Sequence, residues 1–291
     1  MDHRNMDDFA TRVTFARAWN THAPEGERIC NDSLALAFLS PEHQAAATTS
    51  QGRQTLEASW NDLERSLIAY VAVRTRVMDM FFAQALGAGM EQIVILGAGF
   101  DSRGYRLVSG TDRITVFEVD QPHMQENKKA ALSQALGELP EHVRYVPVDF
   151  AAHDLGRELA KAGYSSTAAT ACILEGVSFF LAPDLADRVF GFLARAGGAG
   201  SMAAFDYVSS RILDKTSQEP FADLFIQYLA AMGEPYRFGL APESLATFAG
   251  EQGLTLSANR SALQWRDHYS EYGGARLNPP GFFHIAQTLR T

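Results

Sequence analysis

Apolar positions along this chain change their period near residue 91. Before that point they recur at helical spacing. In 66–82, Leu67, Val71, Met78 and Phe82 fall on one helix face, with Arg74 and Arg76 interrupting an otherwise apolar segment. Residues 1 to about 90 therefore predict a helical region, with 40–52 as a loop that carries at most a short helix. From Gln92 onward, short apolar runs alternate with helix-like segments. The runs 93–96, 115–119, 143–148, 171–174 and 201–205 predict strands, separated by helices such as 121–136 and 184–196. This alternation predicts an α/β fold with a mainly parallel sheet covered on both faces.

After the fifth strand the rhythm breaks. Residues 206–240 read as a largely helical insertion with Phe221, Leu224, Phe225, Tyr228 and Leu229 as an apolar stripe, more readily core than acceptor pocket. A helix over 242–252 and strands over 254–258 and 282–289 follow. The turn-rich stretch between those strands, Tyr272-Gly-Gly274 and Asn278-Pro-Pro-Gly281, suggests an edge hairpin, so the sheet has seven strands with an antiparallel C-terminal strand. The expected division is one domain over 1–291: a helical cap (1–90), a cofactor-binding core (91–206), the helical insertion (207–241), and a closing helix and strand pair (242–291).

The densest chemistry lies in Gly97-Ala98-Gly99-Phe100-Asp101-Ser102-Arg103, where a buried strand breaks into a glycine loop and enters a helix. Gly97 and Gly99 can take backbone angles closed to other residues, and they let a ligand press against the main chain. Glu118 and Asp120 end the next strand, where a carboxylate can accept both hydroxyls of a ribose. Asp149 ends the third. Parallel sheets of this kind bind ligands at the carboxyl ends of their strands. A nucleoside-containing cofactor follows. A nicotinamide dinucleotide would ask for Gly-x-Gly-x-x-Gly, but the third glycine position holds Ser102 and Gly104 comes two residues late. An NAD(P)-dependent oxidoreductase and a non-catalytic cofactor-binding protein stand as alternatives to a methyltransferase. The latter needs a looser loop and contacts spread along successive strand ends, as Gly97/Gly99, Asp120, Asp149-Phe150 and Glu175-Gly176 provide.

Several segments together resemble the leucine carboxyl methyltransferase family, especially its bacterial small-molecule O-methyltransferases. They are Arg74-Thr-Arg-Val-Met-Asp79, Val94-Ile-Leu-Gly-Ala-Gly-Phe-Asp-Ser-Arg103, Glu118-Val-Asp-Gln-Pro122, Val148-Asp-Phe150 and Leu174-Glu-Gly-Val-Ser-Phe-Phe-Leu181. Thr11-Arg-Val-Thr-Phe-Ala-Arg17 and Asn31-Asp-Ser-Leu-Ala-Leu-Ala-Phe38 resemble its N-terminal helices. The resemblance implies a Rossmann-like class I methyltransferase fold using S-adenosyl-L-methionine. It implies that Arg74 pairs with the cofactor carboxylate, that Gly97, Ala98 and Gly99 line its amino-acid end, and that Asp120 takes the ribose with Glu118 close behind. Asp149 would meet the adenine amino group, Phe150 the base, and Glu175 the methionine amino group. Phe180 and Tyr207 are the candidates for the acceptor cleft, and no catalytic residue is assigned. The family's acidic-Pro-tyrosine pattern is replaced here by Asp32-Ser33-Leu34, at the segment that borders the substrate cleft in relatives, so the resemblance leaves the acceptor open.

Composition narrows the partners. A net charge of −9 disfavours phosphate backbones and anionic membranes, so a small-molecule methyl acceptor is expected rather than nucleic acid. No run approaches a membrane span, and the polar start of the chain is unlike a signal peptide, which leads to the expectation of a cytoplasmic protein. Only Cys30 and Cys172 occur, the latter read as core, and the histidines show no metal-ligand spacing, so no metal is expected. His284, within an apolar strand, reads as a satisfied core histidine, and Asp101 as a helix cap or a cofactor contact. Oligomeric state stays open.

Overall fold

The computed structural model describes residues 3–108, 114–233, 235–272 and 276–290; Met1, Asp2, Gly273 and Gly274, which the sequence reading had included, lie outside them. Among the described residues, four α-helices precede the sheet: α1 (His3–Thr21), α2 (Pro41–Thr48), α3 (Ser50–Ser59) and α4 (Asp62–Gly87). The stretch read as a loop with a short helix is instead the consecutive pair α2 and α3. Ser40 caps α2 just before Pro41, and Thr49 caps α3, each side chain accepting a backbone N–H. Helix α4 begins in a capping box: the Asn61 side chain accepts the Glu64 N–H at 3.0 Å, and the Glu64 carboxylate accepts the Asn61 N–H at 2.9 Å.

The sheet comprises β1 (Gln92–Leu96), β2 (Thr115–Asp120), β3 (Val143–Pro147), β4 (Thr170–Leu174), β5 (Met202–Val208), β6 (Leu254–Ser261) and β7 (Phe283–Arg290). Its order is β3-β2-β1-β4-β5-β7-β6, with β7 antiparallel to both neighbours and the other pairings parallel. This is the seven-stranded, class I methyltransferase-like sheet expected from the sequence. The order reverses at β1, so a crevice opens at the carboxyl ends of β1 and β4.

Strand alternation sorts the core. Ile93 and Ile95 point to one face with Val116, Ala171, Ile173 and Ala204, where Val73, Val77, Phe81 and Phe82 of α4 cover them. Val94, Leu96, Phe117, Val119, Cys172 and Leu174 point to the other, beneath Val189, Phe190 and Leu193 of α8 (Pro183–Arg195). Contiguous apolar runs arise because both faces are buried. Helix α4 is thus one of the layers that cover the sheet, while α1 lies over the strand ends.

Three expectations need correction. Residues 206–240 carry less helix than expected: β5 runs on through Asp206 and Tyr207, and the helices of the insertion, among the described residues, are α9 (Ser210–Leu213) and α10 (Ala222–Ala231). Phe221 sits at φ +67 before α10, where a helix does not run. Of its apolar stripe, Phe225 and Leu229 pack with Tyr70, Phe179, Phe282 and Phe283, whereas Leu224 is 54% exposed. Nor are β6 and β7 joined by a tight hairpin: α12 (Ala262–His268) intervenes, started by a Ser261/Gln264 capping box whose Ser-x-x-Gln spacing was readable. Strand β6 carries a bulge between Leu256 and Ala258 and forms the outer edge.

Gly104, in α5 (Arg103–Arg106), does the packing that a third loop glycine usually does. A Cβ there would stand 3.2 Å from Val143 Cγ2 and 3.3 Å from Val116 Cγ1. Gly104→Val is expected to lower unfolding free energy by about 2 kcal/mol through overpacking; urea denaturation checks it, and a change below ~0.5 kcal/mol would show that α5 can lift off β2 and β3 at little cost.

Candidate functional site

The loop after β1 is tied down before any ligand arrives. Gly97 N–H and Ala98 N–H both donate to Val119 O, at 2.8 and 3.0 Å. Gly97 sits at φ +67, and a Cβ on it would come within 2.3 Å of Val177 Cγ2. Gly99 sits at φ +39, and a Cβ there would meet only Gly97 O at 4.0 Å, so this turn of backbone faces open space. Asp120 closes the arrangement. One carboxylate oxygen accepts the Gly99 N–H at 2.5 Å and the other the Gln121 N–H at 2.6 Å. Burial raises its pKa, and these two N–H groups oppose the rise.

A cavity of about 450 Å³ opens above this loop, within the range of small-molecule sites. Of the residues expected from sequence, Arg74, Gly97, Ala98, Gly99, Asp120, Asp149, Phe150, Glu175 and Phe180 all line it. Asp149 uses Oδ1 to accept the Ala151 N–H at 2.8 Å, and Phe150 O accepts from Arg188 Nη2 at 2.8 Å. Both bonds set the chain direction beyond β3. Helix α1 supplies the cover, through Phe9, Ala10, Val13, Thr14 and Arg17.

Two expected residues are elsewhere. Glu118 is buried behind Asp120, paired with Lys128 Nζ at 2.8 Å and accepting from the Tyr105 hydroxyl at 3.2 Å. Burial pushes its carboxyl up to about 7, against the pull of Lys128. Tyr207 does not reach the cavity: it faces the α8 side of the sheet, donating to Asn259 Oδ1 at 2.8 Å and stacking on His284 at 5.2 Å. Alternation explains this, because it turns the neighbouring Asp206, not Tyr207, to the opposite face, toward Arg74 and Tyr70 of α4. His284 is not satisfied as expected; its Nδ1 has no partner among the described residues, and burial lowers its pKa to about 4.

Asp206 belongs to a buried network that sequence reasoning missed. Its carboxylate accepts from Arg74 Nη1 at 2.9 Å, from the Tyr70 hydroxyl at 2.6 Å and from Gly176 N–H at 2.8 Å. Arg74 Nε donates to Glu175 at 2.9 Å, and Arg103 Nη1 donates to the other Glu175 oxygen at 2.7 Å. Arg103 also pairs with Asp101 and with Asp79, the latter at 2.8 Å. Asp101 meanwhile accepts the Arg103 N–H at 2.7 Å, so it shapes the α5 entry as well as lining the cavity. Burial pushes the Glu175 carboxyl up, but Arg103 and Arg74 more than reverse this and hold it below the usual range.

A second latch joins α1 to the loop. Arg17 Nε donates to Asp32 at 2.8 Å and Arg17 Nη2 to Phe100 O at 2.7 Å, while the Ser102 hydroxyl donates to Asp32 at 2.6 Å. Ser102, at the third glycine position, is thus the loop's attachment to Asp32. The readable signal for this network was arginines inside apolar helical segments, since a buried guanidinium requires a carboxylate partner.

A family model described as leucine carboxyl methyltransferase matches residues 10–194, more than half of the chain. The chain belongs to this family. A relative from Mycobacterium tuberculosis, named as a candidate S-adenosyl-L-methionine-dependent methyltransferase, is 40% identical over 205 residues, covering 69% of this chain and 64% of that one. Another of the same description, from Mycobacterium avium, is 38% identical over 207 residues, covering 68% and 63%. The chain therefore spans less than two thirds of the length of these curated relatives. Among solved structures, a duf574 family protein from Streptomyces avermitilis aligns with TM-score 0.52 at 16% identity, covering 95% and 97% of the two chains. An O-methyltransferase family protein from Burkholderia thailandensis aligns with TM-score 0.50 at 13% identity, covering 82% and 63%. These likenesses concern the fold. Among the described residues no helix is long and apolar enough to cross a membrane.

Removing the Asp32 charge with Asp32→Asn leaves Arg17, itself 7% exposed, without its carboxylate, and is expected to cost about 3 kcal/mol in urea denaturation; near-neutral stability would show the latch to be dispensable. For Glu118, a folded pKa raised from 4.5 to about 7 means its contribution is fully present below pH 4.5 and lost as pH rises through 7. Relative to a Glu118→Gln/Lys128→Met double variant, the wild type should lose about 3 kcal/mol between pH 4.5 and 8. A flat difference across denaturation curves in that range would contradict a buried, titrating Glu118.

Proposed function

We propose that this chain is an S-adenosylmethionine-dependent methyltransferase that esterifies an oxygen, most readily a carboxylate, on a small molecule. The observation that carries it is the convergence of the carboxyl ends of β1, β2, β3 and β4 on one cavity lined by Arg74, the Gly97–Gly99 loop, Asp120, Asp149 and Glu175. The residues fit the cofactor. The open face at Gly99 gives backbone access, and each Asp120 oxygen, already holding one loop N–H, keeps lone pairs for a ribose hydroxyl. Asp149 keeps Oδ2 for the adenine amino group, and Phe150 lies beside it to flank the base. Arg74 would hold the amino acid carboxylate, using guanidinium N–H groups beyond the two that Glu175 and Asp206 engage. Glu175, kept ionised by Arg103 and Arg74, would meet the ammonium. When bound, the cofactor supplies a methyl carbon activated by its sulfonium.

The chain's own contribution is alignment and water exclusion under α1. No histidine lines the cavity among the described residues, and three of its acids, Asp32, Asp101 and Glu175, are committed to ion pairs. An acceptor that arrives already ionised needs no base, as a carboxylate does at neutral pH and an aliphatic alcohol does not. The dinucleotide alternative is disfavoured because Ser102 is tied to Asp32 and α5 is a single turn, a weak anchor for a pyrophosphate.

Calorimetric titration with S-adenosylhomocysteine and with NAD distinguishes the readings, followed by mass spectrometry of methyl esters from a panel of carboxylic acids and alcohols. Binding of S-adenosylhomocysteine with ester formation is expected; NAD binding alone would overturn the reading, and binding without turnover would make the chain a sensor. Asp120→Asn should weaken S-adenosylhomocysteine by about tenfold, roughly 1.4 kcal/mol, since it removes charge-assisted bonds. Unchanged affinity in the folded variant would remove Asp120 from the ribose.

A further inference from the structure

Among the arginines that line the cavity, Arg17, Arg74, Arg103 and Arg106 are each engaged by a carboxylate. Arg237 lines the same cavity and, among the described residues, its guanidinium has no acidic partner. Its position is nonetheless set. The Arg237 N–H donates to Phe179 O at 2.7 Å, and the Phe238 N–H reaches the same oxygen at 3.3 Å. The Tyr236 ring stacks on Phe179 at 4.2 Å between centroids. The backbone is therefore pinned on the β4 side of the site while the side chain stays exposed at the mouth. The adjoining wall is apolar, with Phe180 in edge contact with both Phe9, at 5.2 Å, and Tyr236, at 5.1 Å.

An exposed cation that has no acidic partner among the described residues, set beside an aromatic wall, suits an anion attached to an apolar body. A planar guanidinium matches a carboxylate through two parallel hydrogen bonds. An oxygen held in such a pair loses basicity, so the group it anchors is a poor attacking nucleophile. Resting on the methyltransferase reading above, we propose that Arg237 seats a second carboxylate of the acceptor, so that the molecule methylated is a dicarboxylate with an apolar middle. The free carboxylate oxygen forms the new carbon–oxygen bond as the methyl–sulfur bond breaks and its electron pair passes to sulfur. No proton moves, the anchored carboxylate is unchanged, and the product is a monoester that keeps one negative charge.

The test uses hexanedioate and hexanoate as probes, titrated calorimetrically into the S-adenosylhomocysteine complex of the wild type, Arg237→Ala and Arg237→Lys. The dianion should bind the wild type about tenfold tighter than the monoanion, the ratio should fall toward one in Arg237→Ala, and Arg237→Lys should recover part of it. S-adenosylhomocysteine affinity, measured in all three, should not change. Equal binding of both acids to the wild type, binding of neither, or a preference that survives Arg237→Ala would overturn the proposal. A wild type that fails to bind S-adenosylhomocysteine would bring down the methyltransferase reading itself, and this proposal with it.

Discussion

The site depends on one constraint: guanidinium groups buried at the carboxyl edge of a parallel sheet must each be met by a carboxylate. Arg74 is 3% exposed and Arg103 is 3% exposed, a degree of burial that an unpaired cation cannot sustain. Glu175 lies between them, and Asp206 and Asp79 hold their far sides. The ion pairs therefore join α4, the β1 loop, the β4 end and β5 into one rigid floor. Such pairs add little net stability, because desolvation offsets most of their attraction. What they secure is geometry: the loop, the strand ends and α4 have few other arrangements that leave no charge stranded.

Burial raises Asp206, whereas the arginines keep Glu175 and Asp101 below the ordinary carboxylate range. The same chemistry closes the top. Arg17, Asp32 and Ser102 join the covering helix α1 directly to the glycine loop.

The cavity divides its chemistry between two ends. The glycine loop, Asp120 and Asp149 present backbone and carboxylate acceptors in an order that follows the strands. Phe9, Phe180 and Arg237 present aromatic surface and a cation that has no acidic partner among the described residues. The first group stands at strand ends, whereas the second comes from α1, from the turn after β4 and from the segment after α10.

The strands, their parallel order up to β5 and the glycine loop were legible in the sequence because a strand buried on both faces reads as an unbroken apolar run, and backbone that must turn left-handed reads as glycine. Asp120 and Asp149 were legible for a related reason, since an acid just past such a run has only the strand end to occupy. The pairing of those acids was not. Arg103, Asp79, Asp206 and Asp32 are distant along the chain, and their meeting depends on packing that no local spacing records. Glu118 and Tyr207 mark the same limit: both stand near strand ends, one enclosed by Lys128 and Tyr105, the other turned away by a single step of the pleat. Local patterning thus determined which elements form and which termini carry charge. Only the folded chain decided which charges face the cavity, because a side chain's direction and its neighbours are properties of the packed layers.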